Sequence, residues 1–270
     1  MLKKISQAVE FIKSICPAKP GIGIILGTGL STFTEEIKIE AEILYGDIPH
    51  FPVSTVKGHS GKLIFGELSG KKVVAMAGRF HYYEGYSAEE VVFPVRVMKY
   101  LGVQTLLVSN AAGGVNPEYE VGDLMIIKDH ISQFTINPLL GKNKTELGPR
   151  FPDMSEPYSK SLIQKAKEIA ATSGIEIREG VYIGVTGPTF ETRAEYKMIH
   201  ILGGDAVGMS TIPEVIAAVH MGLQCFAMSV ITDLGIRDQE NKITHEEVLQ
   251  AAKEAEPKFA QVFKELVAQI

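Results

Sequence analysis

Nine consecutive residues, Gly78-Arg79-Phe80-His81-Tyr82-Tyr83-Glu84-Gly85-Tyr86, put a guanidinium, an imidazole, three phenols and a carboxylate directly after an apolar, strand-like run. A simple chain reversal asks for Gly, Asn or Asp, and a core strand would leave this many polar heads in need of partners. The segment therefore reads as a binding site. Arg offers a planar, permanently charged fork suited to phosphate or carboxylate, and His can hold or yield a proton near neutral pH. The competing reading is a surface loop with snorkelling aromatics.

Four other clusters stand where apolar runs end. Gly27-Thr28-Gly29 allows a tight turn with backbone N–H groups and a hydroxyl as donors. Ser109-Asn110-Ala111-Ala112-Gly113-Gly114 offers main-chain donors around small side chains, Gly187-Pro188-Thr189-Phe190-Glu191-Thr192 sets an aromatic face beside a carboxylate, and Val207-Gly208-Met209-Ser210-Thr211 joins a thioether to hydroxyls. Each alone also fits turn-making or core filling, with Glu191 as a first-turn helix charge. A dinucleotide fingerprint is absent, since Thr32 stands where its last glycine would fall, and no phosphate-loop Gly-Lys-Ser/Thr occurs. Jointly they matter more, because open α/β sheets bind ligands at the carboxyl ends of their strands.

Thr28, Arg79, His81 and Ser210 with main-chain N–H groups make an anion site that needs no metal. Phe190, Glu191 and Asp233 make a different one, a stacking face with acceptors for the N–H groups of a heteroaromatic base. An anion pocket beside a base pocket implies a sugar between them.

The elements that must hold these groups follow from periodicity. Residues 4–15 read as a helix stopped by Cys16-Pro17, 22–26 as a strand, and 62–68 with 72–77 as a hairpin about Ser69-Gly70. Thereafter come a helix over 88–101 broken or kinked at Pro94, strands over 105–109 and 124–128, a helix over 158–171 and a strand over 181–186. Helices over 191–202, 213–222 and 244–268 bracket a last strand over 224–231. The alternation predicts one α/β domain over 1–270, a central mixed twisted sheet flanked by helices. Residues 130–157 form a long irregular stretch of the kind that is often functional or touches a partner.

Composition bounds the rest. With 45% hydrophobic and 22% charged residues and a net charge of −5, the chain is globular and lacks a basic surface for nucleic acid. No apolar run approaches membrane-spanning length, and the start lacks a signal-type apolar stretch, so a cytoplasmic address is expected. Cys16 and Cys225 stand far apart in apolar surroundings and read as buried thiols. His50, His130, His200 and His220 read as structural.

In order along nearly its whole length the chain resembles the trimeric purine nucleoside phosphorylases, through the segments already quoted, Phe51 to Gly61, Arg150-Phe151-Pro152, the stretch from Gly208 to Glu214, and His245-Glu246-Glu247. That resemblance implies a phosphorylase/hydrolase-like fold and cleavage of purine (deoxy)ribonucleosides by inorganic phosphate to free base and (deoxy)ribose 1-phosphate, in purine salvage. It implies no cofactor, phosphate being a co-substrate. Phosphate would meet Thr28, His59, Arg79, His81, Ser210 and the backbone at Ala111. Ribose would meet Tyr83, Met209, His245 and, from the neighbouring subunit of a homotrimer, Phe151. The base would lie among Ala112, Gly113, Phe190, Glu191, Val207 and Asp233, with His81, Glu191 and Asp233 as the catalytic set.

Two positions depart from that family's pattern. Thr28 replaces a frequent Ser and keeps the hydroxyl, whereas Asp233 stands where members specific for 6-oxopurines carry Asn. An amide donates to a six-position oxygen; an ionised carboxylate repels it, though a protonated one donates and an ionised one accepts from the amino group of adenine. The expectation is a main activity on inosine and guanosine with adenosine cleavage through Asp233. The alternatives are a 5′-methylthioadenosine phosphorylase and a non-catalytic nucleoside or phosphate binder.

Overall fold

A computed structural model describes residues 1–53, 55, 61–236 and 243–270. Helix α1 (Leu2–Ile15) buries Ile5, Ala8, Val9 and Ile12, one stripe at helical spacing, and stops ahead of Pro17. Strand β1 (Ile22–Leu26) is buried at every position. Strand β2 (Lys38–Leu44), which periodicity did not indicate, is an edge strand that buries only Ile43. Strands β3 (Lys62–Leu68) and β4 (Lys71–Ala77) form the expected hairpin, with Ser69 and Gly70 both at positive φ. Two such residues match the twist of the strands they join.

The helix expected over 88–101 is two helices, α2 (Ala88–Val91) and α3 (Phe93–Leu101), because Pro94 brings no N–H to continue the first. Strand β5 (Thr105–Gly114) is five residues longer than expected, so Asn110 to Gly114 continue the strand instead of following it. Next come β6 (Leu124–Ile131), α4 (Lys160–Ser173), β7 (Arg178–Gly184), α5 (Arg193–Ile201), β8 (Ala206–Gly208), α6 (Ile212–His220), β9 (Gln224–Leu234) and α7 (His245–Ala268). Three-residue β8 is too short for a periodic signal. The stretch between β6 and α4 has neither helix nor strand, as expected.

The sheet is mixed and runs β2-β3-β4-β1-β5-β8-β7-β6-β9, with β9 also paired to β5, so five of its strands close into a ring. Closure removes the edge that β9 would otherwise present and leaves β2 at the end of the sheet. Helices α1, α3 and α6 pack together, as do α4 and α7. Both cysteines are buried and free, and the Cys225 thiol is pushed up to about 12 by burial, which leaves it inert.

One feature of the ladder creates the site. Strand β9 pairs with β5 from Thr105 to Gly114 along one edge. The other edge is shared: β1 occupies it from Thr105 to Val108, and β8 at Gly113 and Gly114. Between them, Ser109 to Ala112 face the gap where two neighbours diverge.

Candidate active site

That gap opens into a cavity of about 400 Å³ lined from the ends of many elements. Thr28 comes from the turn after β1, Arg79, His81 and Tyr83 from the segment after β4, and Ala111, Ala112 and Gly113 from β5. The β7–α5 connection adds Phe190 and Glu191, β8 adds Val207, and the β8–α6 connection adds Met209 and Ser210. Asp233 of β9 and His245 at the start of α7 complete it. The volume suits a nucleoside-sized ligand.

Sequence chemistry fixes these ends locally. Helices α5 and α7 begin with capping boxes, Thr192 with Glu195 and Thr244 with Glu247, in which side chain and backbone N–H groups exchange hydrogen bonds. Glu191 thus precedes the helix and is not a first-turn charge; Glu195 is. At α6, the Thr211 N–H donates to Glu214 at 3.0 Å while Thr211 itself is held at φ 71°. A β-branched residue rarely adopts that conformation, and such strain persists only where its surroundings over-determine it. Here they do: Asn110 donates to the Thr211 hydroxyl at 2.8 Å, and the Ser210 and Thr211 hydroxyls lie 3.1 Å apart.

Arg79 lines the cavity and also braces its wall: Nε and Nη2 each donate to Glu214 at 3.0 Å and Nη1 donates to the Ser109 carbonyl at 2.5 Å. Both partners are almost fully buried, Arg79 at 1% and Glu214 at 2% exposure, and a buried charge demands a counter-charge. Arg79 therefore lines the cavity as a positive wall whose fork braces the Ser210–Thr211 turn through Glu214.

His81 is held as tightly. Its Nδ1 lies 3.0 Å from Glu84 Oε2, its backbone N–H donates to the same oxygen at 2.8 Å, and its ring stacks on Tyr83 with centroids 4.6 Å apart. Burial works to raise the Glu84 carboxyl, but hydrogen bonds from His81 and Thr55 outweigh it and hold it at about 2. Burial dominates at His81 and pushes its pKa down. Neutral imidazole beside an ionised Glu84 keeps its proton on Nδ1, which makes Nε2 the acceptor.

The opposite side of the cavity is built differently. Burial raises the pKa of Glu191 and of Asp233. Asp233 Oδ1 accepts from the Thr232 hydroxyl at 3.0 Å, while Oδ2 is buried with no partner among the described residues. Asp233 is aimed by a bulge: Ala112 pairs with Ile231 and Gly113 with Asp233, so Thr232 is one residue extra. A Cβ on Gly113 would stand 2.8 Å from Asp233 Oδ2 and would push that carboxyl out of its present position.

The predicted site residues fall in three groups. Thr28, Arg79, His81, Tyr83, Ala111, Ala112, Gly113, Phe190, Glu191, Val207, Met209, Ser210, Asp233 and His245 share the one cavity. His59 lies outside the described residues. Phe151 is apart from the cavity and 86% exposed, with the Arg150 guanidinium 5.6 Å over its ring. Sequence reasoning missed the bracing residues Glu84, Asn110, Thr211, Glu214 and Thr232. The Thr211-x-x-Glu214 spacing was the available signal; nothing local marks Asn110 or the bulge. The histidines left as structural include His220, on the Pro149 carbonyl at 3.0 Å, and His130, 3.0 Å from the Tyr158 hydroxyl.

Comparison with known proteins decides the family. Residues 21–268 match the model of the phosphorylase superfamily. "Purine nucleoside phosphorylase 1" of Geobacillus stearothermophilus is 53% identical over 263 residues, 97% of this chain and 96% of that protein. The chain belongs to the purine nucleoside phosphorylases. Crystal structures of the Schistosoma mansoni purine nucleoside phosphorylase, one in complex with adenosine and one with inosine, superpose with TM-scores of 0.95 and 0.94. Both are 42% identical to this chain and cover all of it, and 98% and 97% of those chains are matched. Membership in the purine nucleoside phosphorylases makes this an enzyme, a pentosyltransferase that carries out phosphorolysis of purine nucleosides, and sets aside the non-catalytic reading. Among the described residues no helix is long and apolar enough to cross a membrane, and no group of three His, Cys, Asp or Glu side chains is placed to hold a metal ion.

Proposed function

We propose that this purine nucleoside phosphorylase cleaves inosine and guanosine with inorganic phosphate as its main reaction, and cleaves adenosine measurably through Asp233. The observation that carries the reading is a single cavity lined both by hydroxyl, imidazole and guanidinium groups and by an aromatic face with two carboxyls. Thr28, His81, Ser210 and the open edge of β5 near Ala111 receive phosphate, with Arg79 supplying positive potential from behind. Neutral His81 accepts from a phosphate hydroxyl through Nε2. Tyr83, Met209 and His245 meet the ribose, and the base lies by Ala112, Gly113, Phe190 and Val207.

Breaking the glycosidic bond leaves positive charge on the pentose and negative charge on the purine. Bound phosphate stabilises the first and then attacks it; a protonated Asp233 donates to the departing base and stabilises the second. Glu191 accepts from the ring N–H of a 6-oxopurine, which neutral adenine lacks. Fixing phosphate under the sugar turns a bimolecular step into a positioned one, worth several kcal/mol.

Self-association completes the site in this reading. Phe134, Ile136, Leu140 and Phe151, all in the irregular stretch between β6 and α4, are exposed. Apolar exposure concentrated in one connecting segment fits an interface, and Phe151 reaching a neighbouring subunit of a trimer gives it a use. The cytoplasmic address belongs to the same proposal.

The test is a substrate panel run with and without phosphate. Base release from inosine, guanosine and adenosine is expected only with phosphate, and Asp233→Asn is expected to lower the adenosine kcat/KM by about 10-fold or more, one buried hydrogen bond to a charged group, while sparing inosine. Unchanged adenosine efficiency in that variant would sink the role of Asp233.

A further inference from the structure

Tyr196 lies one turn into α5 and has no part in the reaction as described so far. It is 4% exposed and packs in a small apolar cluster with Val115, Ile183, Ile199 and Val207. Its ring rests on Gly235, just beyond the end of β9, where an added Cβ would fall 2.2–2.4 Å from three ring atoms. Gly235 in turn donates its N–H to the Gly114 carbonyl at 2.9 Å. The phenol is thus wedged between the helix that follows Glu191 and the strand that carries Asp233.

A ring so placed could be Phe as far as packing is concerned, yet the residue carries a hydroxyl that is buried with no aligned hydrogen-bond partner among the described residues. Desolvating a hydroxyl without a partner is costly, so such a group in a native fold calls for an explanation. Its surroundings supply one. The hydroxyl stands close to the Glu191 carboxyl and favours its ionised form, and Asp233 and Glu195 add negative charge nearby. Burial and these carboxylates push the Tyr196 pKa upward, so the phenol keeps its proton and can only donate to them. Asp233, by contrast, receives only Thr232 and faces Glu247.

Resting on the reading of Glu191 as the acceptor for the purine ring, we propose that Tyr196 is a positioning residue, whose wedged hydroxyl orients the Glu191 carboxylate and holds it as an acceptor beside Asp233. With the donor on Glu191, a proton shared by the two carboxyls resides on Asp233, where it can be given to the leaving base.

Tyr196→Phe keeps the ring on Gly235 and removes only the hydroxyl. It is expected to lower kcat/KM for inosine roughly 10- to 100-fold, the worth of one buried hydrogen bond to a charged group, while leaving the KM for phosphate unchanged. The acid limb of the kcat/KM profile must move to higher pH, since Glu191 then protonates more readily; the groups in play are Glu191, Asp233, Glu195 and Glu247. Calorimetric binding of hypoxanthine in the presence of phosphate supplies a cycle. The cost of Y196F must largely vanish in an E191Q background, and an equal cost in both backgrounds overturns the proposal, as does an unmoved acid limb. Should Y196F unfold, fluorotyrosine at position 196, a stronger donor of the same shape, must move the limb to lower pH; no shift, or the opposite one, overturns it as well. Absence of phosphate-dependent base release by the unaltered enzyme would remove the underlying reading instead, which separates the two failures.

Discussion

The two halves of the cavity are opposites in how their polar groups are satisfied. On the side of Arg79 and His81, the key side chains are bound to other protein groups: Arg79 to Glu214, His81 to Glu84, Thr211 to Asn110. On the side of Glu191 and Asp233, two carboxyls sit above their ordinary pKa and one buried oxygen, Asp233 Oδ2, lacks a partner among the described residues. The first half is rigid before any ligand arrives, which suits an invariant small anion. The second leaves hydrogen-bonding capacity to be met by the base, which is where one family member can differ from another in what it accepts.

Breaking the rigid half should therefore cost stability, and relieving the other should return some. Glu214→Gln leaves Arg79 buried without its counter-charge and weakens the clamp on strained Thr211. Removing one partner of a buried pair costs about 3–5 kcal/mol, so a Tm lower by roughly 10 °C is expected in calorimetry, with the KM for phosphate raised. A melting point within a degree or two of the parent's would show that the pair is not what holds this half.

Asp233→Asn should move stability the other way. A carboxyl whose pKa is raised by folding binds protons more readily folded than unfolded, so its contribution is favourable below the ordinary carboxylate pKa and is lost as pH rises. The variant should gain about 1 kcal/mol at pH 8, some 2–4 °C in Tm, and no advantage should remain at pH 4. A gain that persists at pH 4 would point to packing and not to charge.

The smallest effect sharpens the comparison from outside either half. Phe151→Ala removes an 86% exposed ring, so stability of the isolated chain should shift by less than about 0.5 kcal/mol. If the ring closes a neighbour's site, the nucleoside KM should rise a few-fold and sedimentation should report a multiple of the 29.4 kDa chain. A single-chain species with unaltered KM would break the trimeric reading.

Much of this was legible in the chain, for reasons that differ by residue. Helix α1, strand β1 and the β3–β4 hairpin followed from periodicity and from Ser69-Gly70, and the break near Val92 from the proline's missing donor. The cavity residues were legible because each cluster of unusual chemistry stood at a strand end. Strand β2 was not, since its alternation carries charge on one face and, on the other, an exposed Ile39 and a half-buried Ala41 beside a single buried Ile43. The extension of β5 through Asn110–Gly114 was hidden by small residues that mimic a loop, and ring closure depends on pairings between segments more than a hundred residues apart. The fate of the Arg79 fork was hidden for the same reason, because Glu214 lies 135 positions away.

Between Val108 and Gly113, where β1 has left β5 and β8 has not yet joined it, the strand presents its own main chain to the cavity. Whatever an oxyanion gains there it gains from peptide groups, which every amino acid carries alike. Point mutation can alter the side chains around that ledge without erasing the ledge itself, so inhibitors that lean chiefly on it should be hard to escape by substitution; escape would require re-registering a strand locked by ten rungs to β9.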